Sequence, residues 1–192
     1  EVLALNSGGL PTDHTLYGAA RIDHKTAEHY RALLSDLFVL DMLPAFENNR
    51  LRRLIKTPKR YVVDPGLIGA ALRIGVREVV ADGDLLGRVL DTFVMAQLRP
   101  ELEVSALRPR LYHLRDQNGR REVDIVGELA EGVVGVEVKA TASPGTDDAK
   151  HLVYLRDEFK TKFLGGAVLH TGPGLFKLSD RIFAVPIGAL WG

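Results

Sequence analysis

The sequence predicts a two-part α/β protein, in which a small helical unit precedes a larger unit built around a sheet. Apolar residues recur at helical spacing in the first third of the chain, and two short β-like segments follow them. From residue 110 onward the apolar period changes from 3.6 to 2, which is the period of strands. Between these regions VREVVADGD has the composition of a linker, so we place the two units at residues 1–76 and 77–192.

Composition limits the class of protein. Of the 192 residues, 46% are hydrophobic and 26% are charged, as in an ordinary folded domain rather than a disordered one. The chain has no run of eighteen apolar residues, so no membrane span is predicted. The opening EVLALNSGGL lacks the basic start and the length of a signal peptide, and Cys is absent. Both observations fit the cytoplasm, which is the predicted location.

The first unit has the element order of a winged helix-turn-helix. TDHTLYGAA predicts one short helix and HKTAEHYRALLSDLFVL predicts a second. Asp23 is the expected N-cap of the second helix, because its carboxylate can accept the free amides of the first turn. FVLDML and residues 59–64 then predict a two-stranded ribbon. Units of this kind bind DNA or dock other proteins.

An eleven-residue stretch of this unit, residues 50–60, is rich in basic residues and carries no acid. The stretch could be a solvated loop between two strands or a wing that contacts phosphates, and the sequence leaves both open. The net charge is zero, so no overall field draws the chain to nucleic acid and DNA contact would depend on a local patch. The residues predicted to contact DNA are Lys25, Arg31, Arg50, Arg52, Arg53 and Lys56.

The second unit is predicted to begin with the amphipathic helix LLGRVLDTFVMAQLRP, which we expect to end at Pro100. RLYHLRD and REVDIVGEL predict a hairpin that turns at Asn118-Gly119, and VVGVEVKATA predicts the next strand. Three further segments predict a helix and the remaining strands: TDDAKHLVYLRDEFKTKF, GGAVLHTG and FKLSDRIFAVPIGALW. The six histidines show no H-x-x-x-H pattern, so no zinc site is predicted.

Two acids and a lysine fall on neighbouring strands of this sheet. Side chains alternate faces in a strand, so Glu137 and Lys139 project the same way, while Val136 and Val138 are expected to face the core. If this strand pairs antiparallel with EVDIVGEL, Asp124 lies beside Glu137. Two adjacent carboxylates repel and need a cation, and hard oxygen ligands suit Mg²⁺ or Mn²⁺.

This arrangement predicts a metal-dependent phosphodiesterase. Asp124 and Glu137 would bind the metal, and Lys139 would orient or deprotonate the attacking water. Asp91 on the preceding helix is the candidate for a further metal ligand. The polar face of an ordinary hairpin can show the same spacing, so that simpler interpretation stays open. The order helix, hairpin Asp, E-x-K strand, helix favours the site, because it is the order of the PD-(D/E)xK nuclease core.

Five segments, in this order, resemble one prokaryotic family: KTPKRYVVDPGLIGAAL, LLGRVLDTFVMAQL, YHLRDQNGRREVDIV, GVEVKATAS and FAVPIGALW. The family is the C-terminal region of certain AAA-type ATPases, a domain of unknown function with a PD-(D/E)xK-like fold. The winged-helix segment is similar to the middle region of that family, so the resemblance covers nearly the whole chain. It implies a restriction-endonuclease-like mixed-sheet domain after the winged-helix-like unit.

The resemblance further implies an ATP-binding P-loop domain upstream in the full protein, although this chain has no G-x-x-x-x-G-K-[ST] motif. It places Asp124, Glu137 and Lys139 at the acidic and lysine positions of the family. It also places the Asp91–Gln97 region on the acid-rich helix, where Glu is usual at both positions. This departure leaves the fourth ligand and hydrolytic competence open.

We therefore expect a nucleic-acid-directed module of an AAA-type ATPase, with a Mg²⁺- or Mn²⁺-dependent nuclease site. Its expected partners are DNA and the upstream ATPase domain, and an oligomer is compatible with this role. The alternative is a catalytically inactive domain that docks proteins or assembles the ATPase.

Overall fold

The computed structural model describes residues 1–46, 56–116 and 120–191. The chain forms two compact units, of which the first comprises Glu1–Leu43 and Thr57–Leu98, and the second Pro44–Lys56 and Arg99–Gly192. These units differ from the predicted division between 1–76 and 77–192, because most of a long helix that starts at Gly83 belongs to the first unit.

Short helices, a two-stranded ribbon and most of one long helix make up the first unit. The carboxylate of Asp23 accepts a hydrogen bond from the Thr26 amide at 3.1 Å, so the predicted N-cap is confirmed. The antiparallel ribbon is confirmed as well, whereas the winged-helix interpretation stays a prediction. The elements are α1 (Val2–Leu5), α2 (Asp13–Ala20), α3 (His24–Asp36), β1 (Leu40–Leu43), β2 (Lys59–Val62), α4 (Gly66–Leu72), α5 (Val76–Ala81) and α6 (Gly83–Val104).

Two expected boundaries are wrong. The segment VREVVADGD, predicted to be a linker, contains α5. The N-terminus of α5 is capped by the Glu78 carboxylate, which accepts a hydrogen bond from the Gly75 amide at 2.9 Å. Pro100 does not end α6, which continues to Val104. A proline removes one hydrogen bond and crowds the preceding turn, but the residues after it can still bond in helical register.

A mixed six-stranded sheet forms the second unit, with strand order β3-β4-β5-β6-β8-β7. Its first three strands are antiparallel, whereas β6 runs parallel to both β5 and β8. The predicted α/β class is thus confirmed, and the PD-(D/E)xK assignment stays a prediction. The predicted turn at Asn118-Gly119 lies outside the described residues. The elements are β3 (Arg110–Arg115), β4 (Glu122–Glu128), β5 (Val133–Lys139), α7 (Lys150–Phe159), β6 (Phe163–His170), β7 (Phe176–Ser179) and β8 (Ile182–Pro186).

Helix α7 covers one face of this sheet because parallel strands β5 and β6 need a crossover connection. Leu152, Leu155 and Phe159 of α7 are buried in the core of the unit. A Cβ at Gly135 would lie 2.7 Å from a Leu152 methyl group and 2.9 Å from a Leu155 methyl group, so both leucine side chains would have to shift to admit a larger residue beneath the helix. The face of β5 that carries Gly135 therefore lies beneath α7.

Candidate metal-binding site at the β4–β5 fork

Asp124 lies where the pairing of β4 with β5 ends. The last pair of the antiparallel ladder is Ile125 with Val136. Beyond it, Asp124 Oδ2 accepts a hydrogen bond from the Val138 amide at 3.0 Å, so a side chain replaces a backbone acceptor. We call Asp124 together with Glu137–Lys139 the β4–β5 fork.

A β-bulge sets the direction of the Asp124 side chain. Between the pairs Tyr112–Val126 and Leu114–Val123, β4 contains one residue more than β3. Bulges of this kind bend a strand and redirect its side chains, and they are common beside functional sites. The predicted antiparallel pairing is confirmed, and the bulge is the feature that the sequence pattern did not indicate.

Glu137 is buried, with only 2% of its surface exposed. The predicted alternation along β5 is confirmed, because Gly135 and Glu137 lie on one face and Val136 and Val138 on the other. The expected burial was wrong: the two valines are half-buried and the glutamate is buried, since α7 covers its face. Glu137 is therefore not part of a solvent-exposed face, whereas Asp124 and Lys139 are half-buried.

The two oxygens of Glu137 have different surroundings. Oε2 lies 3.2 Å from Lys139 Nζ, a charged contact of ordinary length. Oε1 lies 3.6 Å from His151 Nδ1, which is too long for a normal hydrogen bond. Oε1 is thus a buried oxygen without a hydrogen bond among the described residues. Burial, and secondly the charge of Asp124, raise the pKa of Glu137 to about 7.

The cationic neighbours of Glu137 respond to its charge. The interaction with the Glu137 carboxylate raises the pKa of His151, although partial burial opposes this. Burial alone would lower the pKa of Lys139, but Glu137 and Asp124 outweigh it and raise that pKa. Both bases therefore favour their charged forms beside the acid.

Sequence reasoning missed His151 as a member of this site. The residue is partly buried, with 19% of its side chain exposed, in the first turn of α7. A usable signal was present, since His151 precedes Leu155 by four positions and residues four apart share a helix face. A face that buries Leu155 against the sheet also directs His151 toward it.

Asp91, the predicted further ligand, belongs to the first unit, whereas the fork belongs to the second. Asp91 is buried, and its Oδ2 lies 3.5 Å from Lys59 Nζ and accepts a hydrogen bond from the Tyr61 hydroxyl at 3.1 Å. These contacts give the carboxylate a structural role within its own unit. Its role as a metal ligand stays a prediction.

The donor set of the fork fits a hard divalent cation that keeps most of its water. Among residues 1–46, 56–116 and 120–191, no group of three or more His, Cys, Asp or Glu side chains is arranged to hold a metal. Mg²⁺ is commonly bound through only one or two carboxylates, with waters and substrate phosphates completing its shell. Asp124 and Glu137, whose Oε1 has no hydrogen bond among the described residues, offer two such carboxylates.

The predicted DNA contacts are only partly visible. Lys25 on α3 and Lys56 are exposed, whereas Arg31 is half-buried and forms an ion pair with Glu28. Arg50, Arg52 and Arg53 lie outside the described residues. Of the other cations in the basic stretch, Lys59 and Arg60 are buried, so they are not available to a phosphate backbone.

His170 organises the loop that follows β6. Its Nδ1 accepts a hydrogen bond from the Gly172 amide at 3.1 Å, and its Nε2 lies 3.0 Å from the Gly174 carbonyl oxygen. The Gly-rich stretch after His170 is a loop, as predicted. His113 is buried in β3, where its amide donates to the Pro44 carbonyl at 2.9 Å.

Comparisons with known proteins give the following matches. The family model described as "Domain of unknown function (DUF4143)" matches residues 86–190, and that described as "Domain of unknown function (DUF8612)" matches residues 1–78. Two curated relatives are 28% identical over 185 residues: "Uncharacterized protein Mb2031c" of Mycobacterium bovis and "Uncharacterized protein Rv2008c" of Mycobacterium tuberculosis. The alignment covers 96% of this chain and 40% of each relative, so the chain spans about two-fifths of their length.

No solved structure matches the chain significantly. Among the helices that the structure describes, none combines the length and the apolar character that a membrane span requires.

Proposed function

The chain belongs to the family of the domain of unknown function DUF4143, and from this premise we propose that it is a nucleic-acid-directed module of an AAA-type ATPase with a Mg²⁺-dependent phosphodiesterase site. The ATPase and the PD-(D/E)xK core rest on the resemblance of the five sequence segments. The site rests on one observation, the buried Glu137 carboxylate, whose Oε1 has no hydrogen bond within the part of the chain that the structure describes, beside Asp124 and Lys139.

An unsatisfied buried carboxylate is expensive for a folded protein. Burial, and secondly the charge of Asp124, disfavour the charged form, and the pKa of Glu137 rises to about 7 although Lys139 lies beside Oε2. Strongly perturbed carboxylates with a specific charge neighbour occur often at functional sites. A cation that binds at Oε1 would offset this cost, which makes metal binding the function that best accounts for the arrangement.

Asp124 and Glu137 would hold Mg²⁺ or Mn²⁺, and the ion, when bound, polarises a phosphoryl oxygen. Lys139 has about a third of its side chain exposed, so its ammonium group reaches solvent while staying 3.2 Å from Glu137. From this position Lys139 orients the attacking water and stabilises negative charge on the phosphorane. His151, on α7, lies beside Glu137, with its Nδ1 3.6 Å from Oε1.

The test of the metal site is a calorimetric titration with Mn²⁺. We expect the wild type to bind Mn²⁺ and Asp124→Asn to lose about tenfold or more in affinity, equivalent to about 1.4 kcal/mol. The asparagine still offers an oxygen to the Val138 amide, so the fork should keep its fold. Asp157→Asn is the matched control, because Asp157 is an exposed acid of α7 outside the fork. Equal affinities in all three proteins, or no binding at all, would contradict the proposal.

Hydrolysis is tested separately, with labelled single- and double-stranded DNA and Mg²⁺. Lys139→Met should retain Mn²⁺ affinity while losing cleavage, because Lys139 is proposed to act on the attacking water and the phosphorane and not on the metal. Loss of Mn²⁺ binding together with cleavage would instead make Lys139 a support for the carboxylates.

A groove in the first unit favours the second candidate function, a catalytically inactive docking domain. The groove has a volume of about 820 Å³ and is lined mainly by apolar side chains, among them Leu16, Ile22, Leu34 and Leu67. In this candidate function the groove binds the ATPase domain of the same full-length protein. Leu67→Glu should then weaken assembly of the full-length ATPase in light scattering, while Asp124→Asn leaves assembly unchanged.

A further inference from the structure

Arg121 presents an exposed cation immediately before β4. Its guanidinium carbon lies 4.0 Å from the centroid of the Tyr154 ring, which is a close cation–π contact. Among the described residues, the guanidinium takes part in no ion pair. The stacked ring orders the side chain, and the edges of a guanidinium stacked on one face stay available to an anion.

Arg121 lies on the same side of the sheet as Glu137. Val123 belongs to the core beneath α7, and its side chain is a neighbour of Gly135 on β5. Side chains two positions apart share a face of a strand, so Arg121 points to the side of Val123. Glu137 shares its face with Gly135 by the same rule, which places acid and cation on one face.

Helix α7 connects the two groups. His151 in its first turn contacts the Glu137 carboxylate and interacts with the backbone of Glu122, the residue after Arg121. Tyr154 follows His151 by three positions, so the two rings lie on adjoining turns of the same side of the helix. Helix α7 therefore contacts both the Arg121 guanidinium and the Glu137 carboxylate.

The distance from Arg121 to the β4–β5 fork is compatible with binding of a phosphate that neighbours the reacting one. Three residues of extended chain, from Arg121 to Asp124, span about 10 Å. Successive phosphates of one nucleic-acid strand are spaced closely enough that a phosphate one or two nucleotides from the reacting one lies within this distance. A phosphate monoester at the fork carries no second phosphate for Arg121 to bind, whereas a nucleic-acid strand does.

We propose that Arg121, ordered by Tyr154, binds a flanking phosphate of a nucleic-acid strand whose reacting phosphate lies at the β4–β5 fork. The inference rests on the proposed function and names a polymeric phosphodiester, DNA or RNA, as the substrate class. Guanidinium groups form paired, charge-assisted hydrogen bonds with phosphate, which suits the role.

The experiment measures binding of labelled oligothymidylate and oligouridylate by fluorescence anisotropy across a salt series, with EDTA present. Arg121→Ala should weaken binding several-fold and reduce the slope of log K against log salt by about 0.7, the value for one contact on a single strand. Arg120→Ala is the matched control, since Arg120 is an exposed neighbour of equal charge and should leave the slope unchanged. Tyr154→Phe should bind like the wild type and Tyr154→Leu more weakly. The two probes distinguish DNA from RNA as the preferred strand.

The inference is overturned if Arg121→Ala and Arg120→Ala change the slope equally, or if the wild type binds neither probe. The Mn²⁺ titration is independent of these measurements because it contains no nucleic acid. Mn²⁺ binding with an unaltered slope in Arg121→Ala rejects the phosphate contact alone. A slope change without Mn²⁺ binding rejects the metal site alone.

Discussion

Replacement of Glu137 by Gln is expected to stabilise the folded protein by about 3 kcal/mol near pH 8, at 1.36 kcal/mol per unit of pKa shift. The pKa of Glu137 rises from 4.5 to about 7 on folding, chiefly through burial. Between these values the folded state binds more protons than the unfolded state, so the free energy of unfolding falls as pH rises through this window. Above it the full cost of the buried charge is present.

Glutamine removes this titration and keeps the shape of the side chain. Its carbonyl oxygen can still accept from Lys139, whose Nζ lies 3.2 Å from the present carboxylate. The pKa of His151 is raised by the same carboxylate, so its contribution, which is also lost as pH rises, shrinks with the substitution. The free energy of unfolding should therefore vary less with pH in the variant than in the wild type.

Urea unfolding at a series of pH values, from about pH 5 to about pH 8, measures this effect. Glu128→Gln is the control, because Glu128 lies at the other end of β4 and should leave the pH dependence unaltered. A variant less stable than the wild type at every pH would show that the carboxylate supports the fold. Greater stability combined with lost Mn²⁺ binding is the result that a functional acid predicts.

The alternating pattern of β5 was sufficient to predict which of its side chains share a face of the sheet. Period-2 alternation placed Glu137 and Lys139 together, and the antiparallel pairing placed Asp124 beside them. The burial of Glu137 could not be predicted in this way, because it depends on α7, a helix outside the two paired strands that packs over the sheet. Pairing is a local property of two strands, and burial is a property of the whole unit.

The errors at α5 and α6 have a different origin. VREVVADGD combines helix-forming residues with a Gly and two Asp, and composition alone favoured a linker. The Glu78 carboxylate accepts a hydrogen bond from the Gly75 amide, a capping contact that stabilises the start of α5 and that composition did not indicate. At Pro100 a residue that usually ends helices lies within one, since tertiary context overrides propensity.

Asp91→Ala is expected to reduce the free energy of unfolding by about 3–5 kcal/mol, the usual cost of breaking a buried ion pair. The change leaves the Lys59 ammonium, with only 1% of the residue exposed, without the carboxylate that lies 3.5 Å from it. It also removes the acceptor of the Tyr61 hydroxyl. Urea unfolding measures the loss, and the double variant Lys59→Met with Asp91→Leu should recover most of it, because an apolar pair leaves no buried charge.

A second substitution of Asp91 distinguishes a structural role of this carboxylate from a role as a metal ligand. Asp91→Asn keeps an oxygen for Tyr61, so enough folded protein should remain for calorimetry. If Asp91 serves Lys59 and Tyr61 within the first unit, Asp91→Asn will lose stability and keep the wild-type Mn²⁺ affinity. A loss of Mn²⁺ affinity as large as that of Asp124→Asn would instead make Asp91 the further ligand, and the two-carboxylate fork would be an incomplete account of the site.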